Sequence, residues 1–160
     1  MRKALFPFAL ALGLALAQAW PALGPMEAAR LAQGHLRVPT PPEEVSLAWP
    51  GGRPVYAVDL ARGRGLVQVY VAGDSGKVLG VKPLKEKALG KKAWLKAPPR
   101  VSFQEAAALA RKALEVQDPV AEVAYQVWRG RPVLRVDLGP RQAVLDAETG
   151  ALLEVGPSGR

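Results

Sequence analysis

The chain lacks cysteine, asparagine and isoleucine, and it contains a single histidine. Without cysteine it can form no disulfide bond and no thiolate metal site, and it has neither a cysteine nucleophile nor a cysteine to carry an N-terminal lipid. The absence of the labile residue asparagine, together with 15 prolines, is compatible with a heat-adapted source. These absences narrow the possible chemistry before any motif is considered.

The single histidine, His35, falls near the end of the first predicted helix, where we expect a surface residue. No cysteine or second histidine could complete a usual metal site around it. A serine–histidine–acid triad would need one of four serines, none of which lies in a nucleophile-elbow context: Ser46, Ser75, Ser102 and Ser158. We therefore expect no catalytic, metal-binding or cofactor-binding residues and a protein that is not an enzyme.

Long apolar runs are also scarce, and the one that exists opens the chain. Arg2 and Lys3 precede an apolar stretch over residues 4–17, and a small-x-small triplet ends at Ala19. This layout predicts a signal peptide over residues 1–19, cleaved after Ala19, and an exported protein that is periplasmic or secreted. The alternative is an uncleaved anchor, but the apolar stretch is shorter than the about 20 residues that a spanning helix needs.

The formal net charge of +8 is concentrated in one segment. Residues 81–100 contain seven basic residues and one acidic residue, whereas the sequences on either side are close to neutral. Nucleic acid is not an expected partner, because the protein is predicted to be exported. The charge therefore belongs to a connecting segment.

This basic, proline- and lysine-rich segment is predicted to be a linker over residues 82–100. Its prolines favour a solvated, extended connector. The alternative is docking on an anionic membrane or envelope polymer, with the tryptophan as interfacial anchor. The candidate docking residues are Lys82, Lys85, Lys87, Lys91, Lys92, Trp94, Lys96 and Arg100.

An internal repeat appears when the chain is moved 78 positions along itself. Residues 26–60 then align with residues 104–138 without a gap, with 17 identities in 35 positions. Beyond this region the first copy has a longer loop, and the match resumes with Gln68 on Gln142 and Gly76 on Gly150. Such a match indicates a duplication.

Each copy predicts a helix followed by strands. In the second copy Ser102 and Glu105 form a capping-box pattern, and in the first copy Gly24 and Pro25 stand at the equivalent helix start. Alternating apolar residues follow in short runs that end in glycine-containing turns. We expect an α+β protein of two repeated modules, residues 20–81 and 101–156, each a helix packed on an antiparallel meander of three to four strands, with residues 157–160 as a tail.

Both copies resemble the PepSY domain family, known from propeptides of thermolysin-like metallopeptidases and from tandem copies in bacterial envelope proteins. The segments that carry the resemblance are residues 27–29 and 105–107, 55–58 and 133–136, 69–71, 76–79 and 146–150. The first copy departs from the pattern at Ala72, where the second copy has Asp146. The resemblance implies a helix against an antiparallel sheet and a role in holding or inhibiting peptidases, with no catalytic residues.

Two repeated features stay open to more than one interpretation. Asp59 and Asp137 recur in the same motif and could suggest paired carboxylates, but alternation favours solvent exposure or pairing with arginine. Trp49 and Trp128 flank the first strand-to-strand turn of their copies, where packing at the core or rim is expected rather than a ligand platform.

The sequence thus favours an exported, non-catalytic binding protein whose partner is another protein, in particular a peptidase that it inhibits, chaperones or regulates. Exposed sheet edges or loops are the expected means of binding. The alternative is a structural envelope adaptor that docks on an anionic surface through the basic linker.

Overall fold

The computed structural model describes residues 18–159. The predicted signal peptide therefore lies outside the described residues except for Gln18 and Ala19. None of the helices in the described part is long and apolar enough to cross a membrane. The main elements, in chain order, are α1 (Pro25–Leu36), β1 (Glu44–Ala48), β2 (Val55–Arg62), β3 (Gly65–Ala72), β4 (Val78–Lys87), α2 (Phe103–Leu114), β5 (Val120–Trp128), β6 (Arg131–Leu138), β7 (Arg141–Asp146) and β8 (Leu152–Pro157).

The expected fold class, two repeated modules each with its own meander, is wrong. All eight strands form one antiparallel sheet in the order β4-β3-β2-β1-β5-β6-β7-β8. The two halves are joined because β1 pairs with β5 as well as with β2. In two separate sheets these first strands would both be edges with unpaired N–H and C=O groups, and their pairing removes those edges.

The junction between β1 and β5 keeps the 78-residue spacing of the sequence repeat. Ser46 lies opposite Ala124, which is 78 positions further along the chain. On either side of this pair, Glu44 lies opposite Gln126 and Ala48 lies opposite Glu122. An approximate twofold axis therefore passes through the pair of Ser46 and Ala124 and relates the two halves of the sheet.

Both helices lie on the same face of the sheet. In the middle of that face Leu47 pairs with Tyr56 on one side and with Val123 on the other, and all three are fully buried. α1 packs on β1 to β4, and α2 packs on β5 to β8. The rings of Tyr56 and Phe103 lie 6.2 Å apart, so the first half of the sheet contacts the second helix. The molecule therefore has one continuous core.

The helix starts follow the sequence prediction. The Ser102 hydroxyl accepts a hydrogen bond of 3.0 Å from the Glu105 N–H, and the Ser102 N–H donates to the Glu105 carboxylate at 2.9 Å. In α1, Gly24 is the N-cap, its N–H donates to Glu27 at 2.7 Å, and Pro25 is the first helical residue. Both predictions are confirmed.

Small residues form the buried faces of the helices. α1 buries three alanines, and α2 buries five residues: Phe103, Ala106, Ala107, Ala110 and Leu114. Alanine lets a helix approach the sheet closely, so that short helices of 12 residues each can cover it.

The segment predicted as a linker is part of the folded structure. Residues 82–87 belong to β4, so the predicted boundary after residue 81 falls inside a strand. Further on, Ala93 and Leu95 are buried, and the Leu95 N–H donates to the Pro42 carbonyl at 2.9 Å. The connector is therefore held against the core rather than solvated along its whole length.

Candidate binding sites on the edges and outer face of the sheet

The sheet has two edge strands, β4 and β8, each with one strand neighbour. Apolar side chains are exposed on both. Leu79 and Val81 on β4 are 53% and 41% exposed, and Leu152 and Val155 on β8 are 48% and 41% exposed. An edge strand with exposed apolar side chains is a template for pairing with another chain. The longer edge is β4, which has ten residues.

The predicted docking residues are spread over three places. The seven basic side chains are all exposed: Lys82, Lys85 and Lys87 on β4, Lys91 and Lys92 in a 3₁₀ turn, and Lys96 and Arg100 in the connector. The connector residues Lys91, Trp94, Lys96 and Arg100 line a groove of about 320 Å³ next to Tyr125. Lys87 lines a different groove, described below.

Trp94 does not have the position of an interfacial anchor. The residue is half-buried, and its indole Nε1 is buried without a hydrogen-bond partner. An anchoring tryptophan keeps its N–H where water or head groups can reach it. The expectation that Trp94 projects into a lipid surface therefore finds no support in its geometry.

The outer face of the sheet, opposite the helices, carries a charge cluster in the second half. The Arg135 guanidinium lies 3.0 Å from Glu122 and 3.3 Å from Asp137, and it donates to the Gln126 side chain at 3.2 Å. Asp137 is 1% exposed. Of the two alternatives for this aspartate, pairing with arginine is confirmed and solvent exposure is wrong. Burial raises the pKa of Asp137, and the neighbouring guanidinium opposes that rise.

In the first half, Glu44 and Asp59 line an acidic groove of about 410 Å³. Asp59 lies opposite Glu44 in the register of β1 and β2, as Asp137 lies near Glu122 in that of β5 and β6. Ala57 stands where the repeat has Arg135. The groove is lined by Glu43, Glu44, Asp59, Leu66, Gln68, Leu84, Glu86, Lys87 and Leu89.

The groove raises the pKa of Asp59. Burial is the main cause that raises its pKa to about 6, and the carboxylates of Glu86 and Glu43 add to the rise. A hydrogen bond of 2.8 Å from the Gln68 side-chain amide opposes it. The Glu43 carboxylate is occupied, since it accepts from the N–H groups of Leu89 and Gly90 at 2.9 and 3.0 Å.

The other residues that the sequence singled out are His35, Trp49 and Trp128, and none of them lines either groove. His35 is exposed in the last turn of α1. The indole of Trp49 packs edge-on against Trp20 with ring centroids 5.1 Å apart, and the Arg129 guanidinium lies 4.2 Å from the ring centre of Trp128. No group of three or more histidine or acidic side chains in residues 18–159 could hold a metal ion.

The comparisons with known proteins show the fold. It is shared with a candidate lipoprotein from Clostridium difficile 630. The alignment with that crystal structure has a TM-score of 0.72 and 16% sequence identity, and it covers 88% of this chain and 97% of the other. No family model and no curated protein matches the sequence.

The acidic groove was not predicted from the sequence, although a signal for it exists. In the aligned repeat, the pairs Glu44/Glu122 and Asp59/Asp137 are identical, whereas Ala57 replaces the arginine between them. A loss of the basic residue from a repeated charge cluster is visible in the alignment. The alignment alone does not show that the acidic side chains lie together; the sheet register places Glu44 opposite Asp59 and Glu122 opposite Asp137.

Proposed function

We propose that this chain is an exported, non-catalytic protein that binds another protein by accepting an extended segment at the edge of β4. The observation that carries the proposal is the exposure of Leu79 and Val81 on the longer open edge of the sheet. Main-chain hydrogen bonds to an added strand would provide affinity, and alternate side chains would provide selectivity. Such binding needs no catalytic residues.

The proposed partner is a peptidase. This part of the proposal is supported by the resemblance to the PepSY family in the repeated sequence, which implies inhibition or chaperoning of peptidases. An extended segment of a peptidase, held on β4, would be kept from its folded or active arrangement. The role proposed is therefore regulation of the peptidase.

Export is supported by the N-terminal sequence pattern and is compatible with the lipoprotein candidate that shares the fold. This chain has no cysteine, so it would be released rather than lipid-anchored at a cysteine. Cleavage after Ala19 would remove Gln18, whose side chain bonds both backbone groups of Val120 at 2.8 and 3.1 Å. Intact-mass analysis of the exported protein is expected to show Trp20 as the first residue.

The proposal is tested by mixing the mature protein with the secreted metallopeptidases of its source and measuring complex formation and peptidase activity. A double variant, Leu79→Glu and Val81→Glu, should weaken the complex at least about tenfold because it places two charges on the binding edge. The matched variant on the other edge, Leu152→Glu and Val155→Glu, should leave the complex intact. Absence of both complex and inhibition with the unaltered protein would contradict the proposal.

A second candidate function is an envelope adaptor that docks on an anionic surface. It is favoured by the exposure of all seven basic side chains between residues 82 and 100. Binding to anionic vesicles should then fall steeply with added salt. Equal binding to neutral vesicles would exclude this function.

A further inference from the structure

The segments that precede the two helices cross corresponding parts of the sheet. At the repeat spacing of 78 residues, Leu23 before α1 matches Val101 before α2. The Leu23 N–H donates to the Gly73 carbonyl at 3.0 Å, and the Val101 N–H donates to the Ala147 carbonyl at 3.1 Å. Gly73 and Ala147 are also equivalent, since each directly follows the third strand of its half, β3 or β7. The two segments can therefore be compared position by position.

Aromatic rings occupy this region in the first half, whereas the second half has smaller side chains. Trp20 and Trp49 pack edge-on with ring centroids 5.1 Å apart, and both pack against the core. The residues 78 positions further along the chain are Pro98 and Val127. Both of them line the groove of about 320 Å³ beside the connector, the connector groove. The second half therefore has an open groove at the positions where the first half has a pair of indoles.

The connector groove has aromatic and proline walls. Trp94 and the buried Tyr125 line it together with three prolines: Pro98, Pro99 and Pro132. The Tyr125 hydroxyl donates to the Ala97 carbonyl at 2.8 Å, which holds the phenol ring beside the connector. The volume lies at the lower end of the range of about 300 to 1,000 Å³ typical of ligand sites. Such walls and such a volume suit one aromatic side chain.

The rim of the connector groove is basic. Lys91, Lys96 and Arg100 line the groove and are exposed, and Glu148 is the acidic residue among the lining side chains. Three cations around one carboxylate attract acidic groups, and a cation beside an indole ring adds a further attraction. The groove thus favours an aromatic side chain that has acidic neighbours.

We propose that the connector groove binds a tryptophan side chain from an acidic segment of a partner protein, with the indole against Trp94 and Tyr125 and the acidic neighbours at the basic rim. Tryptophan is favoured because the corresponding positions of the first half hold two indoles. Three strands separate β5 from β4, so this site is distinct from the proposed binding edge. The inference therefore goes beyond the proposed function.

Short peptides test the groove without a partner protein. The acetylated and amidated peptide Asp-Asp-Trp-Asp-Asp is titrated into the mature protein at low ionic strength and followed by NMR. We expect saturable shifts of the Val127 and Ala147 amide signals. The peptide with alanine in place of tryptophan should bind at least about tenfold more weakly, and Lys-Lys-Trp-Lys-Lys should not bind. Equal affinity for the tryptophan and alanine peptides, or no binding of the tryptophan peptide, would overturn the proposal.

A rim variant tests the charge requirement. Lys96→Glu with Arg100→Glu reverses two charges of the rim and should weaken binding of the tryptophan peptide about tenfold. The matched control, Arg62→Glu with Arg64→Glu, reverses two exposed basic residues outside the groove and should leave the affinity within about twofold. Equal losses in both variants would show a general charge effect and contradict the site.

A filling variant tests the groove from the inside. Val127→Trp introduces the indole that Trp49 provides in the first half, so it should abolish binding of the tryptophan peptide. The rim variant leaves the walls unchanged and keeps the proposal testable if Val127→Trp does not fold. Unchanged affinity in a folded Val127→Trp protein would overturn the proposal.

The outcomes separate this inference from the other functions. A protein that binds anionic vesicles but not the tryptophan peptide would assign the basic rim to a membrane surface and overturn the peptide site. If the peptidase complex forms and depends on Leu79 and Val81, but the tryptophan peptide does not bind, the edge-binding function stands and the peptide site is wrong. If the peptide binds as described but no peptidase complex forms, the peptide site stands and the edge-binding function is wrong.

Discussion

At the scale of single residues, Asp59 and Asp137 show how one neighbour changes the behaviour of a carboxylate. Both occupy the same position of the repeated motif and lie on the outer face of the sheet. Asp137 is compensated by the guanidinium of Arg135, whereas Asp59 receives a neutral amide from Gln68 and faces further carboxylates. Asp59 therefore has an amide neighbour where Asp137 has a guanidinium.

The raised pKa of Asp59 predicts a dependence of stability on pH. In the folded protein its pKa is about 6, against 3.8 for an ordinary aspartate, so the folded state binds the proton more tightly. The stabilisation from the bound proton is complete below pH 3.8 and is lost as the pH rises through about 6. The charged groups that line the groove with it are Glu43, Glu44, Glu86 and Lys87.

Asp59→Asn should remove this part of the pH dependence. The amide can still accept the hydrogen bond from Gln68, so the variant should be more stable than the unaltered protein at pH 7, by about 2 kcal/mol. Denaturant unfolding at a series of pH values checks this. Parallel curves of unfolding free energy for the two proteins between pH 4 and pH 6 would contradict the raised pKa.

At the scale of elements, the turns that follow β3 and β7 differ in the last residue of the preceding strand, which is Ala72 in one and Asp146 in the other. After β7, the Asp146 carboxylate accepts hydrogen bonds of 2.8 and 3.0 Å from the N–H groups of Glu148 and Thr149, which lowers its pKa. After β3, Ala72 stands at this position, although the backbone bond that closes the turn, from Gly76 N–H to the Ala72 carbonyl, is the same. The turn after β3 thus lacks the two hydrogen bonds that the Asp146 carboxylate accepts in the turn after β7.

Exchange of these residues tests that contribution. Ala72→Asp should raise the melting temperature by a few degrees, about 2 to 4 °C, because the new carboxylate can accept from the N–H groups of the turn. Asp146→Ala should lower it by a similar amount. Differential scanning calorimetry of both variants checks the prediction, and a fall in melting temperature for Ala72→Asp would show that the two turns are not equivalent.

Much of the local structure could be predicted from the sequence. Local rules were sufficient for the capping box of Ser102 and Glu105 and for the alanine-rich helix faces, because these features depend on residues a few positions apart. Tyr56, Val58 and Leu60 occupy alternate positions of β2 and are all buried, as the period of two residues in a strand requires.

The parts that could not be predicted depend on distant contacts. The pairing of Ser46 with Ala124 joins the sheet, but short apolar strands have the same pattern with or without that neighbour. In the connector, Leu95 is buried and its N–H bonds to the Pro42 carbonyl, but its lysine-rich sequence neighbours predict a solvated segment. The resemblance to PepSY domains and the peptidase partner stay predictions.

At the scale of the whole molecule, the pairing of β1 with β5 makes the two halves one folding unit. The sheet and the core are continuous across the junction, so neither half is expected to unfold alone. The unaltered protein should therefore unfold in a single calorimetric transition in which the calorimetric and van't Hoff enthalpies agree.

The variant Ser46→Pro tests whether the two halves of the sheet unfold together. Proline in a central strand removes a ladder hydrogen bond and should destabilise both halves together, by about 3 kcal/mol or more. Val155→Pro on the edge strand β8 is the control and should cost much less. Amide exchange in α2 that remains unchanged in Ser46→Pro would show that the second half is independent.

Partner binding is proposed at one particular edge of this single sheet, the strand β4. The most direct test is hydrogen–deuterium exchange of the mature protein, free and mixed with the peptidase that is proposed as its partner. We expect slowed exchange of β4 amides between Val78 and Lys87, with β8 amides between Leu152 and Pro157 unchanged. Protection confined to β8 or to the helices, with β4 exchanging as in the free protein, would contradict it.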